Sequence, residues 1–152
     1  MTERNRFIMG IEILSKDNVQ ILEEAKDWKE AIRICIKPLE RHGFVEERYK
    51  EEIISNIESL GPYIVIGPYI ALPHARPEQG VIKSQISITL FKKSIYFGKD
   101  EIPAKLFVSL AAKDNESHLD ALANITEVLQ NEEVVKEILK SKDVDTLYQY
   151  FH

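Results

Sequence analysis

The stretch Gly61-Pro-Tyr-Ile-Val-Ile-Gly-Pro-Tyr-Ile-Ala-Leu-Pro-His-Ala-Arg-Pro-Glu-Gln-Gly-Val81 decides how the rest of the chain is read. Its prolines oppose a helix, because each lacks a backbone donor and biases the preceding residue towards extended geometry. Tyr63-Ile-Val-Ile66 and Ile70-Ala-Leu72 therefore read as two short strands broken at Gly67-Pro68. The polar turn Pro73-His-Ala-Arg-Pro-Glu-Gln-Gly80 follows. His74 thus stands where a buried strand runs out into a proline-bracketed turn. A stiff scaffold that presents one side chain on a loop is a common setting for chemistry in α/β proteins.

Working outward, Asn18-Val-Gln-Ile-Leu22 reads as a first strand, and the mixed residues before it as an extra strand or helical turn packed on the body, or an arm. Asp27 is placed to cap a helix, with Glu30 completing a capping box. Trp28, Ala31, Ile32, Cys35, Ile36 and Leu39 then recur at helical spacing. Pro38 falls late in that helix and points to its end near His42-Gly43. A second helix is expected from Phe44-Val-Glu46 through Tyr49, Ile53, Ile54 and Ile57. After the central stretch, Ser84–Phe91 alternates with period two and reads as a half-buried strand. Ile95-Tyr-Phe97 reads as a short strand or edge segment. Ala104–Ala112 is almost continuously apolar, which predicts a central strand covered on both faces. Helices follow, with Leu119, Leu122, Ala123, Ile125 and Thr126 inward, then Val134, Val135, Ile138 and Leu139, then Val144, Leu147, Tyr148 and Phe151. The sum is an α/β chain with helices on both faces of a mixed sheet, since several strands follow one another between Ile64 and Val108.

At 152 residues with ordinary composition, one domain is expected. The net charge of −5 and the lack of a Lys/Arg stripe argue against general nucleic-acid binding. The single cysteine, Cys35, rules out an intramolecular disulfide and fits a reducing compartment. The first residues carry no apolar signal stretch, and no window reaches the roughly 20 apolar residues of a membrane span. A cytoplasmic protein is expected.

His118 occupies a place equivalent to His74, just beyond the strand that ends at Ala112. If the two strands are neighbours, both imidazoles emerge at one sheet edge, beside a helix N-terminus whose free N–H groups suit phosphate. Imidazole is a nucleophile or proton donor near neutral pH without extreme tuning. For His74 the functional reading stands ahead of an ordinary surface histidine; for His118 the two are even. Arg76 is equally a phosphoryl-neutralising group and a solvated loop charge. Asn115 and Ser117 are donors to an anion or helix caps, capping being the safer reading. His42, at a helix C-terminus, reads as structural, and His152 as solvated. No local ligand pair or third ligand supports a metal site. Cys35 on an apolar helix stripe reads as a buried hydrophobe. Without a phosphate-cradling glycine loop, no nucleotide is expected.

Gly67-x-x-Ile70-Ala-Leu-Pro-His-Ala75 resembles the signature of the type 2, mannitol/fructose-type enzyme IIA domains of the bacterial phosphoenolpyruvate:sugar phosphotransferase system. Gly61-Pro-Tyr63 with Pro73-His-Ala-Arg-Pro-Glu78-x-Gly-Val81 is closer to the ascorbate-type branch. Ala111-Ala-x-Asp114 to His118, the element order and the length extend the resemblance over nearly all of the chain after residue 17. It implies an arm over 1–17, a type 2 enzyme IIA domain over 18–152, and a three-layer αβα fold. It also implies that His74 takes a phosphoryl group from the phosphocarrier HPr and passes it to a cysteine of a cognate enzyme IIB, which works with a membrane enzyme IIC. His118 would stabilise that group, with Arg76, Asn115 and Ser117 as candidate phosphoryl-binding residues and no metal or cofactor. The transported solute would be a sugar or L-ascorbate, and homodimer formation stays open. Two departures stand out. Where the mannitol branch has an upstream arginine, ungapped counting from His74 finds Glu58. Tyr69 stands where a small residue is usual, and with Tyr63 and Ile70 it is a candidate for the apolar surface around His74. Two further readings remain: a regulatory module whose phosphorylation state is read by a transcription factor or kinase, and a metal or small-ligand binding module.

Overall fold

The computed structural model describes residues 14–151. Five strands form one mixed sheet: β1 (Leu14–Leu22), β2 (Val65–Gly67), β3 (Tyr69–Ala71), β4 (Gln85–Phe97) and β5 (Ile102–Ala111), in the order β1-β4-β5-β3-β2. β1 runs parallel to β4, β4 antiparallel to β5, β5 parallel to β3, and β3 antiparallel to β2. The helices are α1 (Trp28–Arg41), α2 (Tyr49–Leu60), α3 (Asn115–Leu129), α4 (Glu132–Leu139) and α5 (Val144–Gln149). This is the helix–sheet–helix layering that the strand and helix pattern implies.

β5 shows why both faces are covered. Phe107 and Ala111 point into the layer made by α1 and α2, with Ile32, Ile36, Tyr49 and Ile53. Leu106, Val108 and Leu110 point to the other side, with Ala121, Ile125, Ile138 and Leu147. Side chains alternate along a strand, so a strand between two helical layers must be apolar at nearly every position. Burial of an aliphatic or aromatic side chain contributes roughly 1.5–3 kcal/mol, and two such layers supply most of the drive to fold.

Asp27 caps α1 as expected, its carboxylate accepting from the Glu30 N–H at 2.9 Å, while Glu30 accepts from the Lys26 N–H at 3.1 Å. Pro38 does not end the helix, which continues to Arg41. A proline at this position leaves the Ile34 carbonyl without its helical donor. Gln20 of β1 replaces that donor: its Nε2 gives hydrogen bonds to Ile34 O and to Thr89 Oγ1, both at 3.0 Å. His42 sits at the helix end with Nδ1 2.8 Å from Asn18 Oδ1, a structural role.

Several expected elements differ. β1 begins at Leu14, inside the stretch read as an arm, and residues 1–13 and His152 lie outside the described residues. Phe44-Val45-Glu46 does not start α2. Val45 bridges Val81 in antiparallel fashion, and Glu46 N–H donates to Gly80 O at 2.8 Å. The β-branched Val45 is spent on pairing, and the helix opens at Tyr49. The Tyr63–Ile66 strand shortens to Val65–Gly67. Ser84–Phe91 and Ile95–Phe97 are one strand, β4, with a register shift between Leu90 and Ile95, where the adjacent Lys92 and Lys93 both face solvent. On α3 the buried residues are Ala121 and Ile125, with Leu122, Val128 and Leu129 packed beside them, whereas Leu119 is 64% exposed and Ala123 and Thr126 also face solvent.

Replacing Gln20 with leucine should cost about 1–3 kcal/mol, by leaving the Ile34 carbonyl without a donor beside an apolar layer. Urea denaturation measures it; an unchanged midpoint and slope would show that Gln20 does not compensate for Pro38.

Candidate functional site

β3 and β5 run parallel and adjacent, in register through Ala71 and Phe107, so their C-terminal ends lie at one edge of the sheet. Pairing continues one step past β3, where Leu110 N–H donates to Pro73 O at 2.9 Å. Beyond that edge the chain turns at His74 on one side and enters α3 on the other. The two imidazoles meet there, with ring centroids 5.9 Å apart. They share an open cleft of about 520 Å³, lined also by Asn56, Tyr63, Arg76 and Asn115.

His74 is half-buried and tightly held. Its Nδ1 lies 2.6 Å from Leu72 O. A carbonyl only accepts, so Nδ1 carries the proton and Nε2 the lone pair. Burial pushes the His74 pKa below the ordinary 6.5; the Leu72 bond opposes this, and the neighbouring His118 adds to it. The turn itself is fixed by two tyrosines. Tyr63 O–H donates to His74 O, and its ring stands edge-on to the imidazole at a centroid distance of 5.2 Å. The buried Tyr49 hydroxyl accepts from Ala75 N–H at 3.0 Å and donates to Leu110 O at 2.8 Å.

α3 begins with Asp114 as its cap, the carboxylate accepting from Ser117 N–H at 2.7 Å. That bond holds the Asp114 carboxyl below the usual carboxylate range. His118 N–H is taken by Asp114 O, while the N–H groups of Asn115 and Glu116 fall at the open end of the helix, where no helical acceptor exists. The helix dipole adds partial positive charge at the same point.

The sequence candidates divide accordingly. His74, His118, Arg76 and Asn115 all line the cleft. Ser117 does not; its N–H serves the cap instead. Arg76 is well exposed, with Nε 3.3 Å from a Glu78 carboxylate oxygen. Glu58 turns away from the cleft and pairs with Lys29 at 2.8 Å, so the α2 face towards His74 presents Asn56, Ser59 and Leu60. Of the three residues read as an apolar rim, Tyr63 alone lines this cleft. Ile70 is core. Tyr69, with a positive φ of 65°, lines a separate hollow with Pro62, Val65 and Pro103. Cys35 is fully buried and its thiol is pushed up to about 12 by burial, which removes it as a nucleophile.

Sequence reasoning missed Tyr49 and the pair Asn56–Gln79. Asn56 Nδ2 donates to Gln79 Oε1 at 3.0 Å, and Arg76 N–H donates to the same oxygen at 3.0 Å, tying α2 to the histidine turn. Tyr49 reads as an ordinary apolar stripe residue, and only its position opposite Ala75 and Leu110 reveals the use of its hydroxyl. Among the described residues no group of three or more His, Cys, Asp or Glu could hold a metal ion.

With that geometry in view, the relatives are informative. Residues 12–152 match the family "Phosphoenolpyruvate-dependent sugar phosphotransferase system, EIIA 2", and the chain belongs to it. The mannitol-specific cryptic phosphotransferase enzyme IIA component of Escherichia coli K12 is 35% identical over 124 residues, spanning 82% of this chain and 84% of that one. A solution structure of the mannitol-specific cryptic enzyme IIA from Escherichia coli gives a TM-score of 0.88 at 31% identity, over 93% of this chain and 97% of that one. The ascorbate-specific EIIA component of Escherichia coli K12 is 35% identical over 118 residues, 76% of this chain and 77% of that one. A complex of mannitol enzyme IIA with phosphorylated mannitol enzyme IIB from Escherichia coli gives a TM-score of 0.79 at 26% identity, over 90% and 95% of the two chains. The chain is a component of the sugar phosphotransferase system with a transferase role.

His74 should titrate below 6.5 in imidazole NMR spectra of the folded protein. The unfolded chain then binds more protons than the folded one between the two midpoints. Stability should fall as pH drops below 6.5 and level off once folded His74 also protonates. A His74 midpoint at or above 6.5 would contradict this.

Proposed function

We propose that His74 accepts a phosphoryl group from phospho-HPr on Nε2 and passes it to the cysteine of a cognate enzyme IIB. The observation that carries this is the tautomer lock: Leu72 O fixes the proton on Nδ1 and leaves the Nε2 lone pair in a cleft shared with His118. The Nε2 lone pair forms the P–N bond while the bond from phosphorus to HPr breaks, and that electron pair leaves with HPr. In the second step the cysteine sulfur attacks, the P–N bond breaks, and the pair returns to Nε2. Dividing the transfer in two is nucleophilic catalysis. The demands on the protein are in-line positioning and neutralisation of the equatorial oxygens.

His118, the N–H groups that open α3, Asn115 and Arg76 are the groups placed to meet those oxygens. Arg76 offers the guanidinium that Glu58 cannot, after exchanging its exposed partner Glu78 for the phosphoryl group. The relatives named above support a role in uptake of a sugar or L-ascorbate, and the mannitol IIA–IIB complex supports discharge onto a IIB partner. The protein would act in the cytoplasm, against the membrane enzyme IIC.

Incubation with phosphoenolpyruvate, enzyme I and HPr should add one phosphoryl group, and His74→Ala should abolish it; a variant that still takes label would overturn the assignment. His118→Ala should keep the acceptor but lower the transfer rate about 10²-fold, in line with loss of one charge-stabilising donor. A purified enzyme IIB should discharge the labelled protein. Retention of the label in the presence of ascorbate-type and mannitol-type IIB would argue against the carrier role.

A further inference from the structure

The two histidines are delivered by different segments, and their separation depends on how those segments are joined. Past the last β3–β5 ladder pair, the ties around His74 converge on one residue. Leu110 N–H donates to Pro73 O, and Leu110 O accepts from Tyr49 O–H, whose oxygen in turn accepts from Ala75 N–H. The peptides on either side of His74 are thus both fastened to the strand that leads to His118. The second fastening passes through a single side-chain oxygen. Tyr49 is 0% exposed, and its donor and acceptor capacities are both used there.

The same residue seats the far end of the turn. Gly80, at a φ of 133°, lies so close to Tyr49 that an added Cβ would sit 3.3 Å from Tyr49 Cβ and 3.4 Å from its backbone N. Both ends of the loop from Ala75 to Gly80 thus lie against Tyr49, the first by a hydrogen bond and the second by close packing. A packing role alone explains the ring but not the placement of the hydroxyl.

We propose that Tyr49 is a positioning residue for the phosphotransfer, its hydroxyl setting the spacing and orientation of His74 against His118. This rests on the reading of His74 as phosphoryl acceptor. Tyr49 touches neither the donor nor the phosphoryl group; it acts through the Ala75 peptide and Leu110. Phosphoryl transfer depends on in-line alignment, and displacements near 1 Å can cost about 10²-fold in rate.

The test is Tyr49→Phe in the full chain, with phosphorylation by phospho-HPr followed in single turnovers and the imidazole ¹⁵N signals recorded alongside. The saturating rate should drop at least about tenfold, with the half-saturating HPr concentration unchanged. The His74 signals should move from one neutral tautomer towards a mixture. A saturating rate within about twofold of wild type and an unchanged His74 tautomer would overturn the proposal, whatever happens to the melting temperature. If Tyr49→Phe does not fold, 3-fluorotyrosine at position 49 keeps the hydroxyl while altering its hydrogen-bond strength; unshifted His74 signals and an unchanged rate would then overturn it. If wild type takes up no phosphoryl group at all, the acceptor reading fails, while the tautomer comparison still judges the role of Tyr49.

Discussion

The parallel pairing of β3 with β5 is the constraint on which the site depends. Strands that run the same way end at the same edge, so the turn after β3 and the helix after β5 must emerge together. His74 and His118 are more than forty positions apart in sequence, yet that pairing brings their ring centroids to 5.9 Å. The strand β5 makes this possible by pairing with β4 along one edge and β3 along the other, and its apolar character suits the helical layers that cover both faces. A polar substitution at Leu106 or Phe107 would strike the sheet and the site together.

Much of this was legible in the chain itself. Near-continuous apolar character from Ala104 to Ala112 marked the central strand, and Ile70-Ala-Leu-Pro-His marked a strand end that presents a histidine. Those two signals, with the strands in succession, sufficed for the layered mixed sheet and the histidine pair. Local pattern failed where a long-range contact overrode it. Val45 is committed to Val81, which no periodicity in Phe44–Ile57 could show. The end of the helix near His42 was read correctly, but not that Gln20, a residue of another element, supplies the donor that Pro38 removes. On α3 two overlapping apolar stripes compete, and the sheet takes the one through Ala121, Leu122 and Ile125, which leaves Leu119 outside.

At the candidate site, the residues just past the two strand ends could be read, and those that brace the histidine turn could not. His74, His118, Arg76 and Asn115 announce themselves by type and place. Tyr49, Asn56 and Gln79 look like ordinary helix and turn residues, and their part emerges only from the hydrogen bonds that cross from α2 to the histidine turn. Tyr69 illustrates the converse: its unusual size invited a role at the pocket rim, but the hairpin turn at Gly67-Pro68 sends it to another surface.

The decisive question for the mechanism is which atom takes the phosphoryl group. Phosphorylation of ¹⁵N-histidine-labelled protein by phosphoenolpyruvate, enzyme I and HPr, followed by imidazole ¹⁵N–³¹P correlation, decides it most directly. The expected result is a single phosphorus coupled to Nε2 of His74, with Nδ1 still protonated and bonded to Leu72 O. Phosphorus on Nδ1 of His74, or on His118, would contradict it.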